Sequence, residues 1–149
     1  MDISLHYLTM ANHLLIQKRI LEKVKESGLT LGQPKVLDYL KSHDGASQKE
    51  IAAGCFIEAG SLTSILNRME EKGLIERRML NGNRRTFHIF MTESGRKSQK
   101  LVEAAFVEIE ENAWKDISSE EAETFMKIYH KIYYNLSETG YKETGKEGK

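Results

Sequence analysis

Ser61, Thr63, Ser64, Asn67 and Arg68 are polar residues that share one face of a short helical pattern, because Leu62, Ile65, Leu66 and Met69 take the opposite face at i, i+3, i+4 and i+7. Hydroxyls, an amide and a guanidinium on an exposed helix can bond to base edges and phosphates. Further along, Arg84 and Arg85 close a loop that begins Asn81-Gly82-Asn83, and Arg77 adds a cation between helix and loop. A DNA duplex calls for such a set: cations for its backbone, and a helix about 10–12 Å across for a major groove about 12 Å wide.

Four elements must position these residues. Ser47 and Glu50 form a capping box that opens a first helix, on which Ile51, Ala52 and Cys55 make a small apolar face and Gly54 marks the turn. The second helix carries the polar face and ends at Gly73, where glycine takes the left-handed conformation without a Cβ clash. Leu74 to Met79 and Thr86 to Met91 then read as strands, and the Asn-Gly-Asn loop tolerates positive φ, so the pair forms a β-hairpin with Arg84 and Arg85 at its tip. His88, between Phe87 and Ile89, points to the other side of that ribbon.

The run from Leu29 to Gly95 resembles the MarR family of winged helix-turn-helix transcription regulators. The resemblance is carried by LTLGQ (Leu29 to Gln33), SQKEIA (Ser47 to Ala52), NRMEEKGLIERR (Asn67 to Arg78) and NRRTFHIFMTESGR (Asn83 to Arg96), in that order and at matching spacing. It implies a twofold dimer in which the first helix packs with the last two, and a small effector, such as an aromatic one, bound between those helices and the DNA-binding lobe. This chain departs from the family pattern at five places. Phe56 stands where a glycine is usual between the helices, and Glu58 where a capping Asp is common. Ser64 replaces an arginine found on many recognition helices, so base preference does not transfer. Asn83 replaces the acidic residue that pairs with a wing arginine, which frees positive charge. Some members sense oxidants through cysteine, but Cys55 occupies a buried-leucine position and reads as a small core residue.

The chain has 149 residues and a formal net charge of zero. Its charge is segregated: Leu66 to Lys100 holds nine Lys or Arg against four Asp or Glu, whereas Leu101 to Thr139 holds three against nine. A basic segment for DNA beside an acidic helical one fits a regulator with a remote dimerisation region. No apolar run reaches the roughly 18–20 residues needed to span a bilayer, and no signal-peptide pattern opens the chain, so the expected setting is cytoplasmic, without membrane contact. A single cysteine permits no intrachain disulfide.

Met1 to Lys25 reads as one helix whose apolar face, with Leu5, Leu8, Leu14, Leu15 and Leu21, is wider than one domain needs, so part of it meets another subunit. His6 and His13 read as partly buried or interfacial on it. Thr30 to Gln33 is a second capping-box pattern, with Pro34 in the first turn of a scaffold helix that carries Val36, Leu37 and Leu40. His43 reads as solvated in the loop that follows. Thr92 caps a helix through Val102, Ala105 and Ile109, and Ser118 opens the last one, whose stripe of Phe125, Ile128, Tyr129, Ile132 and Tyr133 is assigned to dimerisation.

The expected fold is mainly α with a small antiparallel wing. Residues 1–28 form the N-terminal dimerisation helix, 29–95 the winged helix-turn-helix domain, 96–136 the C-terminal dimerisation helices and 137–149 a disordered tail. No phosphate loop, dinucleotide fingerprint, HExxH or CxxC is present, so an enzyme is not expected, and neither a cofactor nor a metal site is. The expected function is a homodimeric repressor on a pseudo-palindromic operator of double-stranded DNA, contacted by Ser61, Thr63, Ser64, Asn67, Arg68, Arg77, Arg84 and Arg85 and released by a small ligand. Two alternatives stay open: a metal-responsive regulator that needs zinc or manganese for tight binding, and a winged module that binds protein instead of DNA.

Overall fold

The computed structural model describes residues 3–80, 82 and 85–137. The order is α1 (Leu5–Lys23), a 3-10 turn (Lys25–Ser27), α2 (Gln33–His43), α3 (Gln48–Cys55), α4 (Ala59–Glu71), β1 (Ile75–Met79), β2 (Phe87–Met91), α5 (Glu93–Ala113) and α6 (Ser119–Leu136). By backbone contacts the chain divides into two compact units, Met1–Ile109 and Glu110–Lys149.

In the first unit Leu37, Leu40, Ile51, Leu62, Leu66 and Ile89 are fully buried, so α2, α3, α4 and the hairpin share one core. Burying each such side chain favours folding by about 1.5–3 kcal/mol. The hairpin is antiparallel, with Ile75 opposite Met91 and Met79 opposite Phe87. Ser47 adds a bridge to His88, and Ile89 exchanges backbone bonds with Gly45 (2.8 Å) and Ala46 (2.9 Å), so the segment before α3 edges the wing.

Local chemistry sets the boundaries. Ser47 Oγ accepts from Glu50 N–H at 3.1 Å and Glu50 Oε1 from Ser47 N–H at 3.2 Å, the expected capping box. These bonds to Ser47 hold the Glu50 carboxyl below its ordinary value. Gly73, at φ 75°, ends α4: its N–H bonds to the Glu70 carbonyl and Leu74 N–H to that of Met69, each at 2.9 Å. Thr92 Oγ1 accepts from Gly95 N–H at 3.0 Å and donates to the Gly73 carbonyl at 2.6 Å, capping α5 and tying it to the end of α4. In the second unit Ser118 Oγ accepts from Glu121 N–H at 3.1 Å to open α6.

Five expectations are corrected. Helix α1 starts at Leu5 with Ser4 as its cap; of the residues expected before it, Met1 and Asp2 lie outside the described residues. Thr30 does not cap α2, because Gly32 at φ 86° holds the cap position; only Gln33 Oε1 accepting from Thr30 N–H, at 3.0 Å, survives from the expected reciprocal pair. Gly54 lies inside α3, where a Cβ would strike the Tyr39 ring, and the chain reverses at Phe56. His43 ends α2 instead of lying in the loop; it is exposed, as expected, and stacks on Tyr39 with ring centroids 4.2 Å apart. Helix α1 also ends at Lys23, short of the expected Lys25; on it His6 and His13 are exposed in the single chain, where an interface can reach them.

Candidate nucleic-acid interface

The turn between α3 and α4 is made by Phe56, whose φ of 54° and ψ of 44° place a bulky side chain in the left-handed region. That conformation costs a non-glycine residue about 1–2 kcal/mol. Phe56 is 77% exposed, so core burial does not offset the cost. Glu58 then takes the N-cap of α4 without a side-chain bond.

Leu62, Leu66 and Met69 anchor α4 in the core, while Ile65 is half-buried at the edge of that stripe. The polar set is exposed but not uniform. Ser64 stands on the side opposite the core stripe, with Asn67 and Arg68 to either side of it. Thr63 and Asn67 occupy one flank and are engaged: Thr63 Oγ1 donates to the Ala59 carbonyl (3.0 Å) and accepts from Gln48 Nε2 of α3 (2.8 Å), while Asn67 Oδ1 accepts from Arg77 Nη2 of β1 (2.8 Å). Ser61 lies on the other flank and lines a cavity.

Arg77 reaches α4 rather than solvent. Its Nη1 is 3.4 Å from Glu70 Oε1, and its side chain is only 15% exposed. Arg78, on the other side of the strand, pairs with Glu76 at 2.8 Å and stacks its guanidinium 4.7 Å from the centre of the Phe90 ring. At the hairpin tip Arg85 is exposed and Gly82 has φ 71°; Arg84, Asn81 and Asn83 lie outside the described residues. The base of the wing is held by Asp44, which the sequence reading passed over: Oδ1 accepts from Met91 N–H at 2.8 Å and Oδ2 lies 3.4 Å from Arg96 Nη2. No sequence signal marks it, since its partners lie some fifty residues away. His88 Nδ1–H donates to the Gly45 carbonyl at 2.8 Å.

At the other end of α4, Lys72 Nζ donates to the Gly28 carbonyl (2.6 Å) and to Gln33 Oε1 (3.1 Å), tying the helix to the junction of α1 and α2. The cavity beside it has a volume of about 360 Å³ and is lined by His13 and Gln17 of α1, Lys35 of α2, Phe56, Ser61 of α4 and Phe106 of α5. Its size falls among small-molecule sites, roughly 300–1,000 Å³. Glu103 is bound by Lys41 and, at 3.2 Å, by Gln99 Nε2, contacts that hold its carboxyl below the ordinary value. Among the described residues no group of three or more His, Cys, Asp or Glu is arranged to hold a metal ion, and no helix is long and apolar enough to cross a membrane.

Residues 27–86 match the sequence model of the MarR family. A putative transcriptional regulatory protein for the hcr operon of Thauera aromatica is 28% identical over 112 residues, 75% of this chain and 68% of that protein. The transcriptional repressor MdtR of Bacillus subtilis (strain 168) is 32% identical over 80 residues, 54% of this chain and 52% of that protein. The crystal structure of the S. aureus MepR–DNA complex superposes with a TM-score of 0.82 at 25% identity, covering 91% of this chain and all of that one.

Proposed function

We propose that the chain is a winged helix-turn-helix protein of the MarR family and acts as a homodimeric transcriptional repressor that binds a pseudo-palindromic operator and is released by a small ligand. The observation that carries this reading is the exposed polar face of α4 beside a hairpin at whose tip Arg85 is exposed. A relative named as a repressor and a like fold solved on DNA support it.

In this reading residues 29–95 are the DNA-binding lobe. Helix α4 enters the major groove, where Ser64 and Arg68 lead, Thr63 and Asn67 follow and Ser61 stands at the edge. Arg85 and Arg84 take phosphates or the adjacent minor groove, whose negative potential is strongest over A·T-rich sequence. Arg77 acts through Asn67. Two copies present their recognition helices about one helical turn apart, roughly 34 Å. Residues 1–28 and 96–136 pair the subunits; the tail expected at 137–149 lies, from residue 138 on, outside the described residues. The cavity against α1 takes the effector, which shifts the lobes and weakens the DNA complex. The protein performs no catalytic step and works in the cytoplasm, where its DNA lies.

The test is DNA binding across a salt series, for the unmodified protein and for Arg84→Ala/Arg85→Ala, on duplexes selected from genomic fragments. Log affinity should fall linearly with log salt, and losing four cations per dimer should reduce that slope by up to about 4. An unchanged slope in the double variant would remove the wing from the interface. Salt-independent capture of a protein, with no DNA selected, would favour the interaction-module reading.

A further inference from the structure

We infer that Arg77 is a specificity-determining residue: by holding the Asn67 amide in one orientation, it turns the NH2 group to the DNA and weights the reading at Asn67 toward thymine or guanine over the two-bond adenine contact. The inference rests on the reading that α4 enters the major groove.

A guanidinium has donors and no acceptor. With Arg77 Nη2 2.8 Å from the Asn67 amide, the amide oxygen must face the strand, since the reverse flip would set donor against donor. Glu70, one turn after Asn67 on α4, holds the same guanidinium through Nη1 at 3.4 Å, so Arg77 is gripped from two positions of the helix it orients. Its charge is matched by Glu70 and its side chain is largely covered, which suits an orienting brace better than a phosphate clamp.

What Asn67 keeps for DNA is its NH2 group. An asparagine that reads adenine uses both ends of its amide, accepting from N6 and donating to N7. With one Oδ1 lone pair held by Arg77 and the oxygen turned toward the strand, the acceptor half of that pairing is weakened, and adenine keeps only the single bond from the NH2 group to N7. Thymine O4 and guanine O6 or N7 need only a donor, and cytosine offers only a donor of its own. Thr63, one turn earlier on the same flank, is restricted in the same way. Its hydroxyl proton goes to the Ala59 carbonyl and Gln48 donates to its oxygen, so it has no proton to give a base and keeps one oxygen lone pair and its methyl group. A methyl suits the thymine C5-methyl, so the flank as a whole favours thymine.

The experiment is selection from randomised duplexes by the full-length protein and by Asn67→Ala, Arg77→Met and Arg77→Lys, with salt slopes measured on the sites selected. Asn67→Ala should lose preference at one base pair per half-site, which identifies the position. There the unmodified protein should select thymine or guanine. Arg77→Met should admit adenine with a gain of about tenfold relative to the unmodified protein, at an unchanged salt slope, and Arg77→Lys, which keeps a donor, should restore the original preference. Adenine as the original choice at that position would overturn the inference. So would a uniform loss of affinity in Arg77→Met with a slope lowered by about 1 per protomer, the mark of a phosphate contact. If Arg77→Met does not fold, Arg77→Lys and Asn67→Asp decide. The carboxylate of Asn67→Asp keeps the pairing with Arg77 but has no donor, so retained thymine preference in that variant overturns the inference. Selection of no site by the unmodified protein would instead overturn the DNA reading beneath it.

Discussion

Cys55 is 4% exposed, and its thiol points at the Lys35 carbonyl, 3.7 Å away. Burial pushes the thiol up to about 11, with the charges of Lys35 and Asp38 as smaller opposing influences. At neutral pH the group is therefore protonated and poorly nucleophilic, so the small-core-residue expectation fits the site better than a redox role. Folded protein at pH 7.5 should resist iodoacetamide and react only when unfolded. Because the folded value lies above the unfolded one of 9.0, the stability tied to the neutral thiol is complete below pH 9 and is lost as pH rises toward 11. Thermal melts of the protein and of Cys55→Ala should differ most below pH 9 and converge through that window.

At the scale of elements, the wing is secured at its base as much as by its own ladder. Asp44 satisfies Met91 N–H and pairs with Arg96, while Gly45 and Ala46 bond to Ile89, so the loop between α2 and α3 acts as a third edge for the hairpin. Asp44→Ala strands the Met91 N–H and should destabilise the protein by about 1–3 kcal/mol. Asp44→Asn keeps an acceptor and should recover most of that loss. Amide hydrogen exchange would show whether β2 loosens first, and uniform loosening across α2, α3 and β2 would refute a wing-specific role.

At the scale of the molecule, two apolar surfaces stand exposed among the described residues. In α1 only Ile20 is buried, while Leu5, Leu14 and Leu15 are exposed; in α6 no residue is buried, and Phe125, Ile128, Tyr133 and Leu136 are exposed. Faces of this kind mark association surfaces. Ile128→Glu should therefore shift the protein to monomer in sedimentation velocity, leave the melting of the winged domain nearly unchanged, and lower apparent operator affinity by about a hundredfold, as one half-site loses its partner. A dimer unaffected by this charge would move the interface away from α6.

Features that close within a few residues were legible in the sequence. The Ser47–Glu50 box, the glycine stop at Gly73 and the Thr92 and Ser118 caps depend on backbone groups three or four positions away, and the apolar spacing of α4 already separates its buried side from its polar one. Periodicity names a face but not what stands opposite it. Only the tertiary structure turned Ser61 toward the cavity, set Gln48 on Thr63, and brought Arg77 across from β1 to Asn67 and Glu70. The same reason accounts for His43 stacking on Tyr39, for Gly54 yielding to the Tyr39 ring, and for Asp44 meeting Met91. Composition and spacing were enough to separate a polar face of α4 from a buried one, whereas which of its polar atoms are already engaged was decided by neighbours that the chain brings in from other elements.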